Sequence, residues 1–277
     1  MMLWHAFVST LPFDWAQFAF MHNALLAVLV ATPLLALLGC LIVNTQMAFF
    51  SETLGHSALT GIAIGAICGV ADPVWAMLAF AVLLALSITF LRRASAATLD
   101  TLLSIVMSST LALGIVLLSR GGGFARYSRY LVGDILAVSP GELLRLFAVA
   151  GLVLLAFGLD FNRLLLVSIN RSLAKSRHIA LFRTEAMFAA LTAVVVTVSI
   201  PWVGILVINA LLILPVAAAR NLARTVTQYL WLSMGIGWGA GIAGLLCSFY
   251  WGTASGATIV LVALVCFVLS VVVRRFR

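Results

Sequence analysis

Two tracts without a charged side chain limit this sequence more than any motif in it: residues 186 to 219 and residues 225 to 273. A helix rising ~1.5 Å per residue crosses a hydrocarbon core of ~30 Å in about 20 residues, so each tract holds two crossings. The first is expected to break at Ser199-Ile200-Pro201-Trp202, where proline has no N–H for the helix ladder. The second is expected to break around Trp251-Gly252-Thr253. Membrane-spanning β-strands are excluded, because they read as segments of roughly ten residues alternating in polarity and these runs are continuous.

The other apolar stretches raise the expected count to about nine helices, eight to nine in all. They fall near residues 18–43, 52–71, 73–91, 101–119, 143–159, 183–199, 202–219, 228–250 and 256–273. The fold class is therefore an all-α integral membrane protein, a polytopic helical bundle. A chain that is 64% hydrophobic and 9% charged excludes a soluble domain. Residues 1–17 form a short external segment and 18–277 a single transmembrane domain.

A formal charge of +8 suggests nucleic acid until the basic residues are placed. Arg92, Arg93, Arg163, Arg171, Lys175, Arg177, Arg183, Arg220, Arg224, Arg274, Arg275 and Arg277 share one face if nine spans hold, and the positive-inside rule makes it cytoplasmic. Arg120, Arg126, Arg129 and Arg145 fall on the other face. The N-terminus is then outside and the C-terminus cytoplasmic. With no basic run at its start, the sequence has no recognisable signal peptide, and the first span acts as the insertion signal. Cys40, Cys68, Cys247 and Cys266 lie in apolar runs without metal-site spacing and read as small core residues.

The phosphate-cradling Gly-Lys-Ser/Thr loop is missing, since the one lysine, Lys175, follows Ala174. This chain has no nucleotide site of its own and is expected to be a transport subunit, not an enzyme. Two polar stretches interrupt the spans. Residues 161–185, Phe161 to Glu185, mix basic and apolar residues at helical spacing, as an amphipathic surface helix would, and serve either to anchor the chain or to dock a cytoplasmic partner. Residues 119–142 carry three consecutive glycines, then Asp134, and are expected to form an external loop with a re-entrant or interfacial helix, Asp134 capping it or touching a partner.

Within the apolar sequence, "FSETLGHSALTG" places Glu52 and His56 one helical turn apart on one face. Ionisable groups at membrane depth are costly and face a cavity or a partner. An imidazole with a carboxylate is half a site for a borderline divalent cation such as zinc or manganese. A two-fold homodimer would complete it with a second pair. The bland alternative leaves both groups idle among lipid headgroups. Ser57, Gly61, Gly65 and Gly69 follow at four-residue intervals, a small-residue stripe for close helix packing. Asp100 is expected to pair with Arg92 or Arg93, and His22 to be a satisfied core histidine.

Four segments carry a resemblance. "MAFFSETLGHSALTGIAIG", "RYLVGDILAVSPGEL", "VGILVINALLILPVAAARNLAR" and "SGATIVLVALVCFVLS" are similar, in register from about residue 20 onward, to the permease subunit of the metal-ion ABC importers. That family includes zinc, manganese and iron permeases. The resemblance implies a type II-like importer permease in a bacterial inner membrane, working as a homodimer with two copies of a cytoplasmic ATPase and an external metal-binding protein. It implies that Glu52 and His56 coordinate a transported zinc or manganese ion, with no permanently bound cofactor. It also places the coupling helix between Ser168 and Ile179, with Ser168, Asn170, Ser172, Lys175 and Arg177 facing the ATPase.

The sequence departs from the family pattern where Ser108 and Ser109 stand in place of a histidine and Trp251-Gly252 in place of an external aspartate. Leu59-Thr60-Gly61 and Asn44-Thr45-Gln46 differ as well, and these changes bear on which ion is carried. Two rival readings remain at this stage, a gradient-driven secondary transporter or channel and an ABC permease for a metal chelate.

Overall fold

The computed structural model describes residues 4, 8, 12–120 and 133–276. Most of the N-terminal segment, the glycine run at 121–123, and Arg126 and Arg129 of the expected external loop lie outside the described residues. Among the described residues every regular element is helical. The α-helices are α1 (Ala19–Asn44), α2 (Ala48–Ile67), α3 (Pro73–Ala94), α4 (Leu99–Arg120), α5 (Pro140–Ile169), α6 (Arg171–Ser176), α7 (Leu181–Val203), α8 (Ile205–Leu222), α9 (Val226–Trp251) and α10 (Ser255–Arg275). Short 3-10 turns cover Asp14–Gln17 and Ile135–Ala137.

Eight of these helices are long and apolar enough to cross a membrane, so the chain is a multi-pass, all-helical membrane protein. Helix α2 is long enough but is not among the eight. Glu52, His56 and four hydroxyl residues, Ser51, Thr53, Ser57 and Thr60, dilute its hydropathy.

The helix ends follow local chemistry. Asp72 caps α3 by accepting from Val74 N at 3.1 Å, with Pro73 in the first helical position where no N–H is needed. Helix α2 ends at Gly69, whose φ of +70° lets Val70 N reach back to Gly65 O at 2.9 Å. Helix α9 ends as expected at Trp251, with Gly252 left-handed and Thr253 N bonded to Ser248 O at 3.2 Å.

The break expected at Pro201 falls instead at Gly204. Proline's missing N–H disrupts the ladder without requiring the chain to turn, and Pro201 lies inside α7. Gly204, at φ +83°, adopts the conformation that ends one helix and starts the next. A Cβ on Gly133 (φ +66°) would run into the backbone of Val203 and Gly204, so the two glycines lie back to back. The Asp134-capped turn Ile135–Ala137 leaves from that contact, the Asp134 carboxylate accepting from Leu136 N at 3.0 Å.

Two compact units make up the chain. One comprises Met1–Cys40, Val132–Ala150 and Pro201–Arg277, and in it α8, α9 and α10 pack mutually. Its buried polar groups are mostly paired. His22 is 5% exposed and donates from Nε2 to Ala16 O at 2.7 Å, Cys40 Sγ donates to Ser233 Oγ at 3.3 Å, and Asn221 bonds both Ser270 and Arg274. All four cysteines are free thiols.

The other unit comprises Leu41–Leu131 and Gly151–Ile200. Helix α2 packs there against both α3 and α4. Residues 161–185 are largely helical: α5 runs on to Ile169 past a non-helical Asp160, α6 follows after Asn170, and α7 starts at Leu181.

Candidate functional site

Three faces of α2 have three fates. The face bearing Gly61 and Gly65 meets α3: a Cβ on Gly61 would lie 2.8 Å from Met77 Cα, and one on Gly65 would overlap Ala76. Gly69 differs from them, for nothing lies within 4 Å of its missing Cβ and its role is the turn described above. The next face meets α4 through hydroxyls, Ser57 Oγ lying 2.7 Å from Thr110 Oγ1 while Thr60 donates to Thr110 O. The third face carries Phe49, Glu52 and His56.

That third face is open. Glu52 is 38% and His56 28% exposed, whereas Ser51, Thr53, Leu54 and Ser57 beside them are buried. Glu52 Oε1 and His56 Nε2 stand 3.9 Å apart, beyond hydrogen-bond reach but close enough for both to ligate one ion at ~2.0–2.2 Å. Phe49, 56% exposed, sits one turn before Glu52 on the same face. No group of three or more His, Cys, Asp or Glu side chains gathers anywhere among the described residues. The open face thus presents one carboxylate and one imidazole side by side.

The residues expected to face the ATPase form a compact structure. Asn170 caps α6, its Oδ1 accepting from Leu173 N at 3.0 Å. Ser172, Lys175 and Arg177 are exposed, while Ser168 is buried at the end of α5 and donates to Leu165 O at 2.8 Å.

A group that the sequence reasoning missed lies beneath α6. Glu185, 14% exposed, pairs with Arg171 of α6 and sits 3.8 Å from Arg93 at the end of α3. Arg93 also stacks over Phe182 at 4.7 Å, and Arg92 Nη1 lies 3.7 Å from Met47 Sδ at the start of α2. The expected partner of these arginines, Asp100, is exposed at the start of α4, and Glu185 takes that place. The only sequence signal was a lone acid closing a run of basic residues, and the pairing spans more than ninety positions.

The whole length of this architecture has counterparts. Residues 17–274 match the ABC 3 transport family. The chain belongs to that family. It is 32% identical over 264 residues to the high-affinity zinc uptake system membrane protein ZnuB of Haemophilus influenzae, covering 94% of this chain and 99% of that one. It is 31% identical to the manganese import system permease protein ScaB of Streptococcus gordonii, over 92% and 91% of the two chains. In three dimensions it is similar to a chain of PsaBC from Streptococcus pneumoniae, solved with a Fab, at a TM-score of 0.81 and 28% identity over 98% and 95% of the chains. The resemblance to ABC metal-importer permeases drawn from four motifs is borne out.

Proposed function

We propose that this chain is the membrane permease of an ATP-binding-cassette importer that carries a divalent transition-metal ion into the cytoplasm. Zinc is the first candidate, with manganese or iron next. The observation that carries the reading is the Glu52–His56 pair, held on the one open face of α2 in a chain related to zinc and manganese permeases. Two such faces meeting in a homodimer supply two carboxylates and two imidazoles, a four-ligand N/O set suited to a borderline ion. The N-terminus lies outside and the C-terminus in the cytoplasm.

Energy enters from a separate ATPase at α6, through Asn170, Ser172 and Lys175, with Ser168 anchoring the helix, while Arg177 lines the neighbouring cleft with Arg183. Arg171 hands displacement of α6 to Glu185, and Glu185 to Arg93 at the foot of α3. Arg92 meets Met47, which begins α2 five residues before Glu52. This contiguous set of charged contacts supports a mechanical route from the ATPase to the ion ligands.

The test is uptake into vesicles. The chain with its ATPase and metal-binding protein is expected to accumulate radioactive zinc only with ATP, and the chain alone none. Gradient-driven uptake by the chain alone would overturn the reading in favour of a secondary transporter. Accumulation of a metal chelate but not of the free ion would replace the substrate.

A further inference from the structure

We propose that the cleft at the junction of α5, α6 and α7 is a binding site for the headgroup of an anionic phospholipid. The cleft holds about 440 Å³ and its lining includes Asp160, Arg163, Arg177, His178, Arg183 and Thr184. It lies within one compact unit and is distinct from the Glu185 cluster.

Its charge is one-sided. The single carboxylate, Asp160, is already engaged by Arg163 at 2.8 Å. Arg177, His178 and Arg183 make no ion pair among the described residues. The cleft also takes in the first turn of α7, a 23-residue helix with no acidic residue in that turn. Its free N–H groups and helix dipole add to the positive potential there. Two unpaired guanidiniums converging on a helix start suit a phosphate group, which accepts several N–H donors at once.

Position decides which phosphate. Between Pro140 and Asp160, α5 rises about 30 Å at ~1.5 Å per residue, roughly one hydrocarbon thickness. At Asp160 the helix leaves its regular path, with φ −122° and ψ 16°. The cleft therefore opens where α5 reaches the membrane surface and α7 begins. Leu159 and Leu155, one and two turns before Arg163, are 76% and 62% exposed, an apolar track for an acyl chain below the headgroup. A basic pocket between spanning helices, with a greasy track beneath it, fits a lipid better than a soluble anion.

The experiment compares thermal unfolding and lipid retention of the purified full chain in detergent with added phosphatidylglycerol, phosphatidylcholine or inorganic phosphate. Phosphatidylglycerol is expected to raise the unfolding temperature and survive purification, with at least about tenfold tighter binding than phosphatidylcholine. Arg177→Gln/Arg183→Gln is expected to lose that preference. Equal binding of the two lipids, or unchanged preference in the double variant, would overturn the proposal. Inorganic phosphate at millimolar concentration matching the lipid's effect would likewise overturn it, assigning the cleft to a free anion. Should the double variant fail to fold, Arg183→Gln alone takes its place, with the same two outcomes.

Discussion

In the unit that contains α2, Glu185 and Glu52 both lie near basic groups and are treated in opposite ways. Glu185 is nearly buried and shared between Arg171 and Arg93, so its charge is spent inside the chain. Glu52 is more than a third exposed, and its nearest basic group is His56, 3.9 Å away, on a face that neither α3 nor α4 covers. A carboxylate of the first kind holds a fold together. One of the second kind, kept in an apolar helix at a cost in hydropathy, is available to something the folded chain does not itself supply.

Exchanging the two roles by mutation is the most direct way to break this contrast. Glu52→Ala and His56→Ala are each expected to lower metal uptake by at least about 100-fold, since loss of an outer partner to a metal ligand alone costs roughly 10–100-fold. The same substitutions are expected to change stability by under about 0.5 kcal/mol, as for a half-exposed pair. Uptake within threefold of wild type would remove the pair from the transport path.

Glu185→Gln is expected to show the reverse, a loss of about 1–2 kcal/mol on thermal unfolding with both arginines left short of an acceptor. If Glu185 also transmits motion, ATP hydrolysis in the assembled transporter persists while uptake falls. A variant with both rates lowered in proportion would confine Glu185 to a structural role.

A further set of substitutions, read on stability alone, sharpens the difference between the closed and open faces of α2. Gly61→Ala must push Met77 aside and is expected to cost about 1–3 kcal/mol, while Phe49→Ala on the open face is expected to cost under about 0.5 kcal/mol in the monomer. Gly69→Ala, with free space but a left-handed φ, is expected to cost about 1 kcal/mol through the backbone alone. Unfolding midpoints of the three variants measured together check that order.

Most of the helices were legible because a membrane reduces the problem to counting apolar residues between charges, and, the end of α5 apart, the observed ends fall within a few residues of those expected. Residues 161–185 were legible as helical from their spacing but not in their junctions, since the non-helical residue is Asp160 itself and Gly158, two residues before it, stays in the helix. Pro201 misled because absence of a donor and reversal of direction are separate properties. The Glu52–His56 spacing was legible because both residues come from one turn of one helix. The Arg93–Glu185 contact was not, because long-range pairing leaves no local pattern and Asp100 offered a nearer acid of the same charge.

The back-to-back glycines at 133 and 204 limit how this sequence can vary over time. Compensation usually works by shrinking one residue so that its neighbour can grow, but both positions are already at the minimum and each is left-handed. Neither can drift while the other absorbs the change, so a single methyl at position 133 would disturb a junction between two spans some seventy residues downstream.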